Sequence, residues 1–268
     1  MLTTPVLVTT THPELAQRID AAYERFVALL AVTPGELGVD GSWTAVEVAG
    51  HLVNVVNRYV DFSPERLAAT PRGVDEVNER ELHLAADRPV ADVLAALEAE
   101  MDRFRAAWGP ETGFPLDLEL PFHGGGSIRL QAGLTNLLAE FLVHGLDVAR
   151  AAGVDWPIDP RNGALLVAFG AEILPAYVCR SNTEHLLVRL DPIGAEPWVL
   201  DVEGAGATSR RPEPGDEPNV CLRGPATPIA LLFYRRLTLD GALADGVEVC
   251  GGTHPERARI VPDLFEKP

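Results

Sequence analysis

Lysine is nearly absent from this chain: Lys267 is the one lysine among 22 basic residues, and arginine supplies the rest. Beside abundant Ala, Val, Gly and Asp, that bias reads as the codon usage of a GC-rich genome and not as a functional device. Cysteine is scarce too. Cys179, Cys221 and Cys250 are odd in number, far apart and without a CxxC pair. Scattered cysteines of this kind read as reduced cytosolic thiols, small core residues and not nucleophiles. No long hydrophobic run is present. The longest, 164–179, is cut by Glu172 and Pro175 and is too short to span a bilayer. The first residues lack the charged and apolar segments of a secretory signal, so a cytoplasmic protein is expected. Positive charge is short overall, and the net charge of −17 argues against nucleic acid or an anionic membrane as a partner. An anionic substrate would need a local positive feature, such as an arginine or a metal.

What is present is a chain of ordinary globular composition, 47% hydrophobic and 23% charged over 268 residues, a length suited to two domains. Pro13 to Val32 carries Leu15, Ile19, Ala22, Tyr23, Phe26 and Leu30 at helical spacing and is closed by Pro34 and Gly35. Thr44 with Glu47 fits a capping box, after which Val48, Leu52, Val55 and Tyr59 form one apolar stripe with His51 beside it. Val74 to Leu84 fits a short connecting helix, and Val90 to Trp108 a strong one ended by Gly109-Pro110. Leu116 to Leu120 and Ser127 to Leu130 alternate like a hairpin around His123-Gly124-Gly125-Gly126. That string is a glycine-rich turn, not an esterase oxyanion loop, because no GxSxG elbow accompanies it.

Asn136 to Arg150 (NLLAEFLVHGLDVAR) is the stretch around which the rest is organised. Leu137, Phe141 and Val148 fall on one side of a helix, interrupted by Glu140, His144 and Asp147. Glu140 and His144, four apart, project together from neighbouring turns. Alone, such a pair is a surface contact, and His51 alone is a satisfied core histidine. Combined on facing helices of a bundle, two histidines and one carboxylate suit Zn²⁺ with an open position, and also non-haem Fe(II). The same three residues in mutual hydrogen bonds, without metal, remain the alternative.

In the second half, Gly153 to Arg161 is a linker-like break and Arg161 to Cys179 an apolar helix. Strands are expected at His185 to Leu190, Trp198 to Val202, Asn219 to Arg223 and Gly246 to Cys250, with a helix at Thr227 to Leu237. Residues 207–217 read as an exposed loop. Gly204-Ala205-Gly206 is a turn, not a dinucleotide fingerprint, and Arg235-Arg236 is a helix C-terminal charge pair.

Trp43-Thr44 with Val46, Val48 and His51-Leu52, followed by Glu140-Phe-Leu-Val-His144-Gly-Leu-Asp147-Val-Ala-Arg150, resembles the paired motifs of the mycothiol-dependent maleylpyruvate isomerase family. The resemblance implies an α+β chain: a DinB-like metal-binding four-helix bundle over 1–155 and a small sterol-carrier-like α+β domain over 156–268. It implies His51, Glu140 and His144 as ligands of a divalent metal, Zn²⁺ foremost, with Asp147 in support behind His144. It also implies mycothiol as the thiol cosubstrate and a small-molecule electrophile. A metal-bound thiolate would add to the electrophile, giving cis-trans isomerisation or S-transfer. Arg80 and Arg129 are the candidates for holding substrate carboxylates. The second class of function open to the sequence is a non-catalytic metal- or ligand-binding protein on the same fold.

Overall fold

The structure, a computed structural model, describes residues 9–39, 43–61, 85–122, 126–179 and 181–265. Two compact units divide between Pro157 and Ile158, and Thr10 goes with the second, where its hydroxyl accepts from Arg161 at 2.8 Å.

The first unit is helical. Its elements are α1 (His12–Leu30), a ribbon of β1 (Gly38–Val39) and β2 (Trp43–Thr44), α2 (Ala45–Val60), α3 (Val90–Trp108), a hairpin of β3 (Glu119–Phe122) and β4 (Gly126–Arg129), and α4 (Leu130–Ala152). The helices associate as two pairs, α1 with α4 and α2 with α3. The α1 stripe expected from the sequence is buried, and Phe141 of α4 meets Tyr23 and Phe26 at ring distances of 5.7 and 6.0 Å. Such aromatic contacts add to the stabilisation from buried area. The helix α4 starts six residues before the apolar motif and is buried nearly all round, as expected of a helix apolar on every side. Gly153, at φ 70°, ends it in the left-handed conformation that glycine adopts without steric cost. The helix expected over 74–84 lies outside the described residues.

The second unit sets α5 (Pro160–Ile173), α6 (Ala226–Phe233) and α7 (Leu239–Ala244) beside a five-stranded sheet. Its strands are β5 (His185–Ile193), β6 (Trp198–Glu203), β7 (Gly206–Arg210), β8 (Val220–Pro225) and β9 (Glu248–Gly251), in the order β7-β6-β5-β8-β9. All neighbours are antiparallel except β5 and β8. Along β5, Leu186, Val188 and Leu190 alternate inward at the two-residue period of a strand.

Three expectations need correction. The first concerns residues 207–217, whose opening is edge strand β7 and not loop, paired to β6 from Glu203↔Gly206 to Val199↔Arg210. A polar edge strand lacks the alternation that marks a half-buried one, and its partner supplies the ordering instead. The second is the helix over 161–179, which stops at Ile173. Pro175 cannot continue the hydrogen-bond ladder, and Leu174–Tyr177 tighten into a 3₁₀ turn. The third is the set of isolated thiols: Cys221 and Cys250 form a disulfide with Cα atoms 5.4 Å apart, leaving Cys179 free. Sequence distance hid this pairing, because the residues are distant along the chain and become neighbours only when β9 adds to β8.

Candidate metal centre

The capping box fixes the start of α2. The Thr44 hydroxyl accepts from the Glu47 N–H, and the Thr44 N–H donates back to the Glu47 carboxylate at 2.7 Å. The β1–β2 pairing, Val39↔Trp43, places Trp43 immediately before this cap. One and a half turns into α2, His51 is buried at 3% exposure. Across from it, α4 presents Glu140 and, one turn on, His144, both half-buried.

These three side chains converge. A Glu140 carboxylate oxygen lies 3.5 Å from His51 Nε2 and 3.3 Å from His144 Nε2, and each residue offers a ligand atom within 4.8 Å of the others. As hydrogen bonds, these separations are long. A charge-assisted N–H···O bond is about 2.7–2.9 Å. Two donor atoms bound tetrahedrally to one zinc at about 2.0–2.1 Å stand about 3.3 Å apart. The spacing therefore fits ligands around a common centre better than partners of one another.

Electrostatics prepares the same set. Burial pushes the Glu140 carboxyl up, but the His144 and His51 imidazoles facing it outweigh burial and hold the group below the usual carboxylate range. Burial lowers His51 and outweighs the opposing pull of Glu140, favouring the neutral imidazole that a metal requires. The arrangement is one carboxylate anion with a neutral nitrogen donor beside it.

Behind His144, the buried Asp147 carboxylate is 3.5 Å from Nδ1, so the ring's Nε2 faces Glu140 while its other nitrogen faces an acceptor. His51 has no equivalent: its buried Nδ1 has no hydrogen-bond partner among the described residues. It is held by ring contacts instead, 5.2 Å from Trp43 and 4.9 Å from His144, and Trp43 also stacks on His144 at 5.9 Å and 21°. Trp43 thus walls both imidazoles, a role that its place in the sequence motif did not disclose.

Of the two arginines, only Arg129 is among the described residues, and it stands apart from this cluster. Arg129 is exposed at the N-terminal end of α4, about 16 Å along the helix axis from Glu140. Arg80 lies outside the described residues. The other described histidines serve locally: His12 Nε2 meets the Trp108 carbonyl at 2.7 Å, and His185 and His254 are exposed beside Asp201 and Glu256.

Residues 39–149, which contain all three clustered side chains, match the mycothiol maleylpyruvate isomerase N-terminal domain. A crystal structure of the mycothiol-dependent maleylpyruvate isomerase superposes with a TM-score of 0.61 at 18% identity, covering 95% of this chain and 98% of the other. A histidine-to-alanine mutant of such an isomerase superposes at 0.57, with the same identity and coverage. These likenesses show a shared α+β fold, with a helical unit followed by a sheet unit. No curated protein sequence matches the chain. Among the described residues, no helix is long and apolar enough to cross a membrane.

Proposed function

We propose that this chain is a metal- and mycothiol-dependent enzyme, an isomerase of maleylpyruvate or a closely related cis electrophile. The observation that carries the metal reading is the 3.3 and 3.5 Å spacing of two imidazole nitrogens around one carboxylate oxygen, too long for good hydrogen bonds and right for shared ligation. His51, Glu140 and His144 would hold a divalent ion, with Zn²⁺ the best match to a two-histidine, one-carboxylate set. Such an ion supplies the Lewis acidity that keeps a small-molecule thiol ionised at neutral pH.

The chain's own residues do the rest. Glu140 contributes the single negative charge of the set, so the loaded site keeps net positive charge for an incoming thiolate. Asp147 orients His144, and Trp43 covers both rings on one side. The thiolate sulfur would add to the cis double bond. The new single bond would rotate, and elimination would return the thiol and the trans product, so that the thiol is regenerated. With an electrophile whose adduct cannot eliminate, the same chemistry ends as S-transfer. Substrate carboxylates call for arginine, and Arg80 and Arg129 remain the proposals for that contact.

The test is metal content together with mycothiol-dependent turnover of maleylpyruvate, for the wild type and Glu140→Gln. The wild type should hold about one zinc per chain and require added mycothiol. Glu140→Gln should bind zinc more weakly. At matched zinc occupancy it should also turn over more slowly, because a more positive site makes the bound thiol less basic and less nucleophilic. Zinc uptake without any thiol-dependent turnover would make the bundle a metal-binding protein instead. Failure of the wild type to take up zinc would remove the site assignment.

A further inference from the structure

Outside the metal centre, the described residues bring together one further reactive pair, the bonded sulfurs of Cys221 and Cys250. The two halves differ in access. Cys221 on β8 is 8% exposed, whereas Cys250 on edge strand β9 is exposed. The ladder explains why. Cys221 pairs with Gly251 and Leu222 with Val249, so Cys250 is the extra residue at a register shift. Beside the Cys221 sulfur, an Asp191 carboxylate oxygen stands at 3.9 Å, and Arg189 donates to the other oxygen of Asp191 at 2.9 Å. One sulfur therefore faces solvent, and the other faces a carboxylate inside the sheet.

We propose that Cys250 is a reversible S-thiolation site for small-molecule thiols, with Cys221 as its resolving partner. Exchange begins when a thiolate attacks one sulfur of a disulfide, and access decides which sulfur is attacked. A small thiol, RSH, reaches Cys250. Its sulfur forms the new R–S–S–Cys250 bond, the Cys221–Cys250 bond breaks, and Cys221 leaves with the electron pair. The proton released by RSH ends on Cys221, where the Asp191 carboxylate disfavours a second negative charge. One disulfide replaces another, so no oxidant or reductant is consumed. In reverse, Cys221 attacks Cys250, expels RSH and restores the link between β8 and β9. Cys179, half-buried with its sulfur 3.5 Å from the Asp263 carbonyl, has no such partner and serves as the internal control. The site stands independently of the chemistry proposed for the bundle.

Glutathione is a suitable probe. The folded wild-type chain, incubated with reduced glutathione and quenched in acid, should carry the mixed disulfide on the Cys250 peptide, with Cys221 recovered as an alkylatable thiol. With glutathione disulfide, Cys250 in Cys221→Ala should be capped at least about ten-fold faster than Cys179, as its access predicts. In Cys250→Ala, Cys221 should be capped about ten-fold more slowly than Cys250 is in the first variant. A wild-type adduct on Cys221, no adduct on Cys250, or equal capping of the two in folded variants would overturn the proposal. Circular dichroism reports the folding of each variant. If either unfolds, the wild-type peptide map decides alone.

Discussion

At the residue scale, the two histidines of the centre are held by different physics. The Asp147 carboxylate faces His144 Nδ1, whereas His51 Nδ1 has no hydrogen-bond partner among the described residues and its ring packs on Trp43. Removing the packing should therefore act mainly through His51. Trp43→Ala should weaken zinc binding by about ten-fold or more, the usual cost of losing the support behind a ligand, while Trp43→Phe should keep most of the affinity. Competition with a chromophoric chelator measures this without any turnover assay, and equal affinity in wild type and Trp43→Ala would show that His51 needs no wall. The three clustered side chains were legible in the sequence because helical period alone puts Glu140 beside His144, and the bundle expectation supplied the facing His51. Trp43 was visible only as a motif letter. Its stacking on two imidazoles is tertiary, and no spacing rule encodes it. The position of Asp147 beside His144 was legible because the two lie one helical turn apart.

At the element scale, α4 combines ligand display with a close approach that only glycine allows. Trp156 returns over the helix after the Gly153 turn. Its indole N–H donates to the Leu142 carbonyl at 2.9 Å, and its other face takes the Arg25 guanidinium at 4.2 Å. A Cβ on Gly145 would collide with that ring. The ring is pinned on two sides, so it cannot retreat cheaply. Gly145→Ala should destabilise the first unit by about 1–3 kcal/mol, the range for overpacking, despite the better helix propensity of alanine. Chemical denaturation of the variant followed by circular dichroism checks this, and a stabilised variant would mean the ring moves freely. Helices α1 to α4 could be found in the sequence because each carries a long stripe at a constant period, and the Thr44/Glu47 box marks a boundary by chemistry. The strand β7 could not, since its order comes from Arg210 bridging to Asp216 and from pairing with β6. The Cys221–Cys250 contact is of the same kind: strand addition creates it, and neither local sequence contains it.

At the scale of the whole molecule, the candidate ligands divide between the two helix pairs of the first unit. His51 belongs to the α2–α3 pair, and Glu140 and His144 belong to the α1–α4 pair. A bound ion would therefore tie the pairs together across the face where α2 meets α4, and its binding energy would oppose their separation. Ligand bound only by the folded chain stabilises by RT ln(1 + [L]/Kd), about 2.7 kcal/mol at a hundred-fold excess over Kd. For a unit of this size, that corresponds to roughly 8 °C in midpoint. The chain's charge supplies the competing explanation, because a net charge of −17 attracts divalent cations to surface carboxylates whatever the centre does. His51→Ala separates the two effects: it deletes one ligand of three and leaves every surface acid in place. Calorimetry with zinc and with chelator should show the upward shift in the wild type and little or none in His51→Ala. Magnesium, a poor match for imidazole donors, should give the same small change in both. An equal zinc shift in both proteins would assign the stabilisation to the acidic surface and detach the His51, Glu140 and His144 cluster from metal.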